Sequence, residues 1–172
     1  VIDLKDKTII GNPNPDFVYG INLDFSYKNL SLKVLANGVY GNDIANGNLL
    51  QLGVAEGISF ANITTAAYNN AWRPERTSNF YPRIRYTTNG SIAMPDWIIE
   101  DGSFLRISNI NLSYQFDKVN VYLSAQNVFT FTGYSGYNPE VTSFLYDGLR
   151  NGIDWNGQPN ARKFLLGLNF NF

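Results

Sequence analysis

Six carboxylates, Glu75, Glu100, Asp101, Glu140, Asp147 and Asp154, fall in stretches without regular hydrophobic alternation. Side chains of this type serve either as a general acid and base pair or as an oxygen cage for Ca²⁺. Their spacing supports neither use. No stretch carries the Asp/Asn interval of an EF-hand loop, and surface carboxylates ordinarily face water. Asp147-Gly148 and Asn156-Gly157 read as turns. The chain has no Cys and no His, which removes thiolate and imidazole zinc sites, haem ligation by those residues, Cys-His nucleophiles and Ser-His-Asp triads. The expectation is a protein that is not an enzyme and uses no metal or other cofactor.

Aromatic residues form the second chemically capable set. Tyr68, Trp72, Phe80, Tyr81, Tyr86, Trp97, Tyr134, Tyr137, Phe144, Tyr146 and Trp155 lie in the same irregular stretches. A flat ring is a surface on which a sugar or a peptide stacks. The competing role is packing, because long ordered loops need small cores of their own or rest on a covering protein. Within Trp72-Arg-Pro-Glu75 and Tyr81-Pro-Arg83, proline restricts its own φ and the residue before it, so both segments fix loop geometry. Arg73 or Arg83 is expected to pair with nearby carboxylates.

The elements that must position these residues are strands of period 2. In Phe17 to Lys28, Phe17, Tyr19, Ile21, Leu23, Phe25 and Tyr27 alternate with Val18, Gly20, Asn22, Asp24, Ser26 and Lys28. Across Asn29, Leu30 to Gly41 continues the pattern, so the two segments predict a tight hairpin. A second pair, 103–116 and 119–130, turns at Asp117-Lys118, and a last segment, 162–172, sets Phe164, Leu166, Leu168, Phe170 and Phe172 on one face. Two positions disturb the third segment, where Arg106 and Ser108 fall in the apolar phase and are expected to lie above the lipid band. Asn127 breaks the apolar phase of the fourth.

Aromatic residues at strand ends with aliphatic residues between them match the wall of a transmembrane β-barrel. Segments of about 11 or 12 residues also suit a tilted bilayer crossing better than the roughly 5 to 6 of soluble sheets. Charged residues make up 16% of the chain against about 25% in soluble domains, as expected for less surface in water. Outer-membrane barrels have short periplasmic turns and long outer loops. The irregular stretches 1–16, 42–102 and 131–161 are therefore expected outside. Polar positions Asn22, Asp24, Lys33, Asn37, Asn109, Asn111, Gln115, Asn120, Gln126, Asn169 and Asn171 would line a wet interior. With 13 basic and 14 acidic residues and no basic run, nucleic acid is not an expected partner. A soluble glycan-binding β-sandwich has the same alternation with its apolar face inward, and a passive porin has the same wall, so both readings stand beside the first.

Several segments then carry a resemblance. Asn14-Pro-Asp-Phe17, Gly41-Asn-Asp-Ile44, Trp72-Arg-Pro-Glu75, Tyr81-Pro-Arg83, Glu100-Asp-Gly-Ser-Phe-Leu-Arg106 running on to Tyr114, Ser124-Ala-Gln-Asn127, the block Tyr134 to Val141 and Gly152-Ile-Asp154 follow one another in the order of the C-terminal region of SusC/RagA-like TonB-dependent outer-membrane transporters. Asn138 departs from the family, whose members often carry Asp there. The resemblance implies an all-β fold in which 1–172 is the C-terminal five-strand part of a larger, 22-stranded transmembrane antiparallel barrel with long extracellular loops and a plug absent from this chain. It also implies import of a glycan or a peptide across the bacterial outer membrane. The partners so implied are a SusD-like surface lipoprotein, TonB through the missing N-terminal part, the rest of the barrel with its plug, and outer-membrane lipid. Trp72, Tyr81, Tyr134 and Trp155, each in or beside a shared loop motif, are the implied ligand or lid contacts. Phe170 and Phe172 are the implied assembly signal.

Overall fold

The computed structural model describes residues 7–53, 62–78, 80–84, 94–141 and 150–170. Phe172, Asn171, Tyr86, Phe144, Tyr146 and Asp147 therefore lie outside the described residues. The chain forms two compact units, one built from Asn14–Asn42, Asp101–Pro139 and the segment from Gln158 on, the other from the segment up to Pro13 with Asp43–Glu100 and Glu140–Gly157. No described helix is long and apolar enough to cross a membrane.

The first unit is an antiparallel sheet. Its strands are β1 (Phe17–Tyr27), β2 (Leu30–Tyr40), β5 (Phe104–Gln115), β6 (Val119–Thr132) and β8 (Lys163–Phe170), in the spatial order β1-β2-β5-β6-β8. β1 and β2 pair in unbroken register from Phe17↔Tyr40 to Tyr27↔Leu30. Their two-residue turn needs a left-handed residue, and Lys28, expected at the end of the strand, supplies it at φ +54°. Gln115 donates its backbone N–H to the Asn29 carbonyl at 2.9 Å, and Phe116 donates to Val119 at 2.8 Å, so both short turns lie at one end of the sheet.

Register sorts the side chains into two faces. One face carries Ile21, Leu23, Val34, Ile110, Leu112, Val121, Leu123, Leu166 and Leu168 across its middle. Phe25, Tyr27, Tyr114 and Phe170 ring one rim, while Phe17, Tyr40, Phe129, Phe131 and Phe164 ring the other. These residues are not a core: Leu23 is 60% exposed, Leu166 71% and Phe164 70%. A contiguous apolar face of this extent is unsustainable in water. A β-sandwich would bury it against a second sheet, and among the described residues nothing covers it. Hydrocarbon is the solvent that suits the face, with aromatic rims at the interfaces. The opposite face is polar and includes the cross-strand pair Lys33–Asp24 at 3.0 Å.

Two irregularities explain the disturbed phase. Opposite Leu35 and Ala36, β5 steps from Asn109 to Ile107, so Ser108 is an extra, unpaired residue. Such a bulge exchanges the faces of everything beyond it. Leu105 and Ile107 thereby join the apolar face, and Arg106 pairs with Asn37 and Thr130 on the polar one. The expectation that Arg106 falls in the apolar phase is thus corrected: it never enters that phase. Ser108 bonds to the Asn37 side chain across the bulge. In β6 the matching step falls at Asn127, at φ +53°, a conformation that Asn tolerates better than most side chains. Its amide donates to the Ala161 carbonyl at 3.1 Å.

Arg106 is 4% exposed, and its guanidinium donates to Thr130 Oγ1 at 3.1 Å and to Asn138 Oδ1 at 2.7 Å. It also lies 5.2 Å from the Phe104 ring centre. The segment Gly133–Pro139 is thereby held to the polar face at the rim, with Tyr134 buried and its ring filling the space that Gly136 leaves open. At Asn138 the cation is served by an amide oxygen.

The second unit is mixed. β3 (Asp43–Asn46) lies between β4 (Ile99–Asp101) and β7 (Ile153–Asp154), with the β3 to β7 pairing parallel. α1 (Gly47–Gly53) follows β3, and α2 (Thr65–Asn70) is capped by Thr64, whose hydroxyl accepts the Ala67 N–H at 3.1 Å. A short 3₁₀ turn, Asp96–Ile98, precedes β4. Ala45, Leu50 and Ile98 form the core, flanked by Leu49, Trp97, Ile99 and Ile153.

The sheet yields two expectations. Arginine at the apolar midplane costs about 2 to 4 kcal/mol and much less on the wet side. Leu23→Arg, Val34→Arg and Leu168→Arg should therefore lower the heat-resistant folded band of the full-length protein far more than Asn22→Arg or Asn169→Arg, and the reverse ranking would invert the faces. Asn138→Ala strips an acceptor from a buried cation and should cost roughly 1 to 3 kcal/mol. Asn138→Asp should match or exceed the parent in the temperature at which that band is lost. Equal losses in the two variants would show that the oxygen contributes little.

Candidate functional site

The loop unit gathers its chemistry around a pair of proline turns. Arg73 and Arg76 exchange both backbone hydrogen bonds, at 2.9 and 3.0 Å, around Pro74-Glu75. Trp72 donates its backbone N–H to the Tyr81 carbonyl at 3.2 Å, which draws the two motifs together. Ser78 Oγ accepts from the backbone of Phe80 at 3.3 Å and of Tyr81 at 3.0 Å, rounding the chain between them.

Ring packing completes the cluster. Phe80 meets Tyr81 edge-on at 4.9 Å between ring centres and Trp97 at 5.1 Å. The Arg73 guanidinium lies 5.3 Å from the Tyr68 ring centre, and that of Arg83 lies 6.0 Å from Trp72. Arg73 and Arg83 thus do not follow the expected pairing with carboxylates: among the described residues neither makes an ion pair, and each rests on an aromatic face instead. Sequence could not show this, because the partners are set by the two turns.

The aromatic candidates separate on this geometry. Trp72 and Tyr81 are half-buried and adjacent. Trp155, 39% exposed, lies against Gly47 at the start of α1, where any Cβ would strike its ring. Tyr81 and Trp97 reach Gly53 at the other end of that helix, roughly 9 Å along its axis at 1.5 Å per residue. Tyr134, in the sheet unit, is 5% exposed and packs within its own turn. Phe170 stands 59% exposed at an aromatic rim of the apolar face. In the sequence Arg106 is only a break in the pattern, and Ser108 beyond it is the one sign of the bulge that turns it to the polar face.

Three of the carboxylates, Asp154, Glu100 and Asp101, are engaged in local structure, whereas Glu75 is exposed. Asp154 is 1% exposed, accepting from Asn48 Nδ2 at 3.3 Å and the Gly157 N–H at 3.0 Å. Asn156, at φ +59°, donates its N–H to Asn48 Oδ1 at 2.9 Å, closing the same turn. Glu100 accepts from Asn46 at 2.9 Å, and Asp101 caps the Ser103 N–H at 2.8 Å. Among the described residues no three His, Cys, Asp or Glu side chains gather as metal ligands. These carboxylates hold loop structure.

Known proteins align with this chain over nearly its whole length. It is 34% identical over 185 residues to TonB-dependent receptor P3 of Formosa agariphila, covering 99% of this chain and 18% of that protein. It is 33% identical over 189 residues to TonB-dependent receptor SusC of Bacteroides thetaiotaomicron, covering 99% of this chain and 16% of SusC. No family model matches. Among solved structures, the RagAB peptide importer in its open-open state superposes with a TM-score of 0.71 at 24% identity, over 95% of this chain and 18% of that one. The closed-closed state gives 0.72 over 93% of this chain. The chain thus spans less than a fifth of the length of these relatives. An open sheet with one apolar, aromatic-rimmed face and one polar face is a segment of β-barrel wall, and with these relatives it establishes that the chain belongs to the SusC/RagA-like TonB-dependent receptors.

Proposed function

We propose that this chain supplies the C-terminal wall and outer loops of a TonB-dependent nutrient importer in the bacterial outer membrane. The observation that carries this reading is the exposed apolar face bounded by two aromatic rims, on a chain one-third identical to SusC. The remaining barrel strands and a plug belong to the rest of the polypeptide. TonB acts through that part, and a SusD-like surface lipoprotein covers the outer loops. The cargo is a glycan or a peptide; the structural relative described as a peptide importer keeps the second class in view. Binding and translocation are the whole of the chemistry, with no covalent step. A passive porin would share the wall but not the energy requirement.

The outer loops contribute contacts through Trp72, Tyr81 and Trp155, which retain accessible ring surface, while Tyr134 contributes by holding its turn. Phe170 and Phe172 serve assembly from the last strand.

The reading is tested by growth on single glycans and peptides in strains with and without the inner-membrane energiser. Loss of growth on the cognate nutrient without the energiser is expected, and unchanged uptake would favour the passive porin. Ala at Trp72, Tyr81 or Trp155 should weaken uptake only several-fold, since a stacking contact contributes about 0.5 to 1.5 kcal/mol beyond area burial. If all three variants grow like the parent at equal barrel abundance, these rings are packing alone. Replacing Phe170 and Phe172 with Ser should sharply reduce the membrane-inserted protein, and normal levels would remove them from assembly.

A further inference from the structure

The turn from Tyr68 to Arg83 carries three arginines, Arg73, Arg76 and Arg83, against one carboxylate, Glu75. The reciprocal bonds of Arg73 and Arg76 set two cations directly opposite each other, an arrangement that destabilises a pairing. Among the described residues none of the three arginines is neutralised by an ion pair. Arg76 and Arg83 are exposed, and in the same segment Tyr68, against Arg73, and Phe80 are 56% and 46% exposed. Stacking on Tyr68 and Trp72 orients the Arg73 and Arg83 guanidiniums yet consumes none of their in-plane N–H donors. Unspent donors, opposed like charges and open ring faces are the features of a surface completed by an anion.

We propose that this turn is a recognition site for an acidic oligosaccharide, one whose pyranose units carry carboxylate or sulfate groups. Each such unit offers a CH face for a ring and an oxyanion for a guanidinium, so one residue engages both kinds of group. An acidic peptide carries its carboxylates on flexible stems without a flat CH face and would leave Tyr68 and Phe80 unused. The inference deepens the importer reading and rests on it for the ligand's route to the loop.

The test is calorimetric binding to the full-length transporter in detergent. The probes are trigalacturonate, a sulfated galactose trisaccharide, neutral maltotriose and triglutamate. At least one acidic sugar should bind about tenfold more tightly than maltotriose, as expected for a charge-assisted contact, and should weaken as salt rises. Arg76→Gln and Arg83→Gln should each lower that affinity several-fold while the folded band stays normal, and Tyr68→Ala should do the same. Maltotriose binding equal to that of both acidic sugars, or arginine variants that bind like the parent, would overturn the proposal. Triglutamate binding as tightly as the sugars, unaffected by Tyr68→Ala, would overturn the sugar assignment in favour of an acidic peptide. Growth that is independent of the energiser would defeat the importer reading while leaving these affinities unchanged, so the two failures are distinguishable.

Discussion

The inter-strand hydrogen-bond ladder is the constraint from which the rest follows. In hydrocarbon an unpaired backbone N–H or C=O costs several kcal/mol, so a wall strand must pair along its whole crossing. Pairing fixes register, and register forces every second side chain to the same solvent. The unbroken match of β1 with β2, from Phe17↔Tyr40 to Tyr27↔Leu30, therefore decides that Leu23 meets lipid and Asn22 meets water. The aromatic rims follow too, since rings at strand ends occupy the depth where an amphipathic ring is most favourable.

The same constraint gives the bulge at Ser108 its importance. One inserted residue reverses the facing of the strand beyond it, and the sequence around it is written for that reversal. Without the insertion Arg106 would share a face with Ile110 and Leu112, where a buried cation has no partner. With it, the guanidinium reaches Thr130 and Asn138, and the loop after β6 acquires a fixed anchor. A defect in the ladder thus connects a wall that tolerates little variation to a loop that must hold a shape.

Legibility in the sequence tracks how local the determining physics is. The alternation in Phe164 to Phe170 and in Phe17 to Tyr27 is local, so strand, face and solvent can be read from residue types. Lys28 is legible only as a strand end, because nothing in a lysine marks a positive φ, whereas Asn127 is at least a residue type that tolerates it. Arg106 falls out of phase because parity is carried through an insertion whose one mark in the sequence is Ser108. The loop aromatics were legible as a set but not as individuals. Tyr134 is buried because Gly136 leaves room for its ring, a signal available two residues away, whereas the approach of Trp72 to Tyr81 depends on two turns closing together.

Division of labour between wall and loop also explains why charge is distributed as it is. In the sheet unit, Lys33 pairs with Asp24 on the polar face, and the buried Arg106 is hydrogen-bonded to Asn138, because a buried cation without partners would be stranded in a packed rim. In the second unit Asp154 closes a turn and Glu100 accepts from the Asn46 amide, while Arg73, Arg76 and Arg83 remain without described counter-ions. Loops in bulk water can sustain unbalanced cations at small cost, since solvent and salt screen them. The turn arginines therefore make no ion pair that builds the described fold.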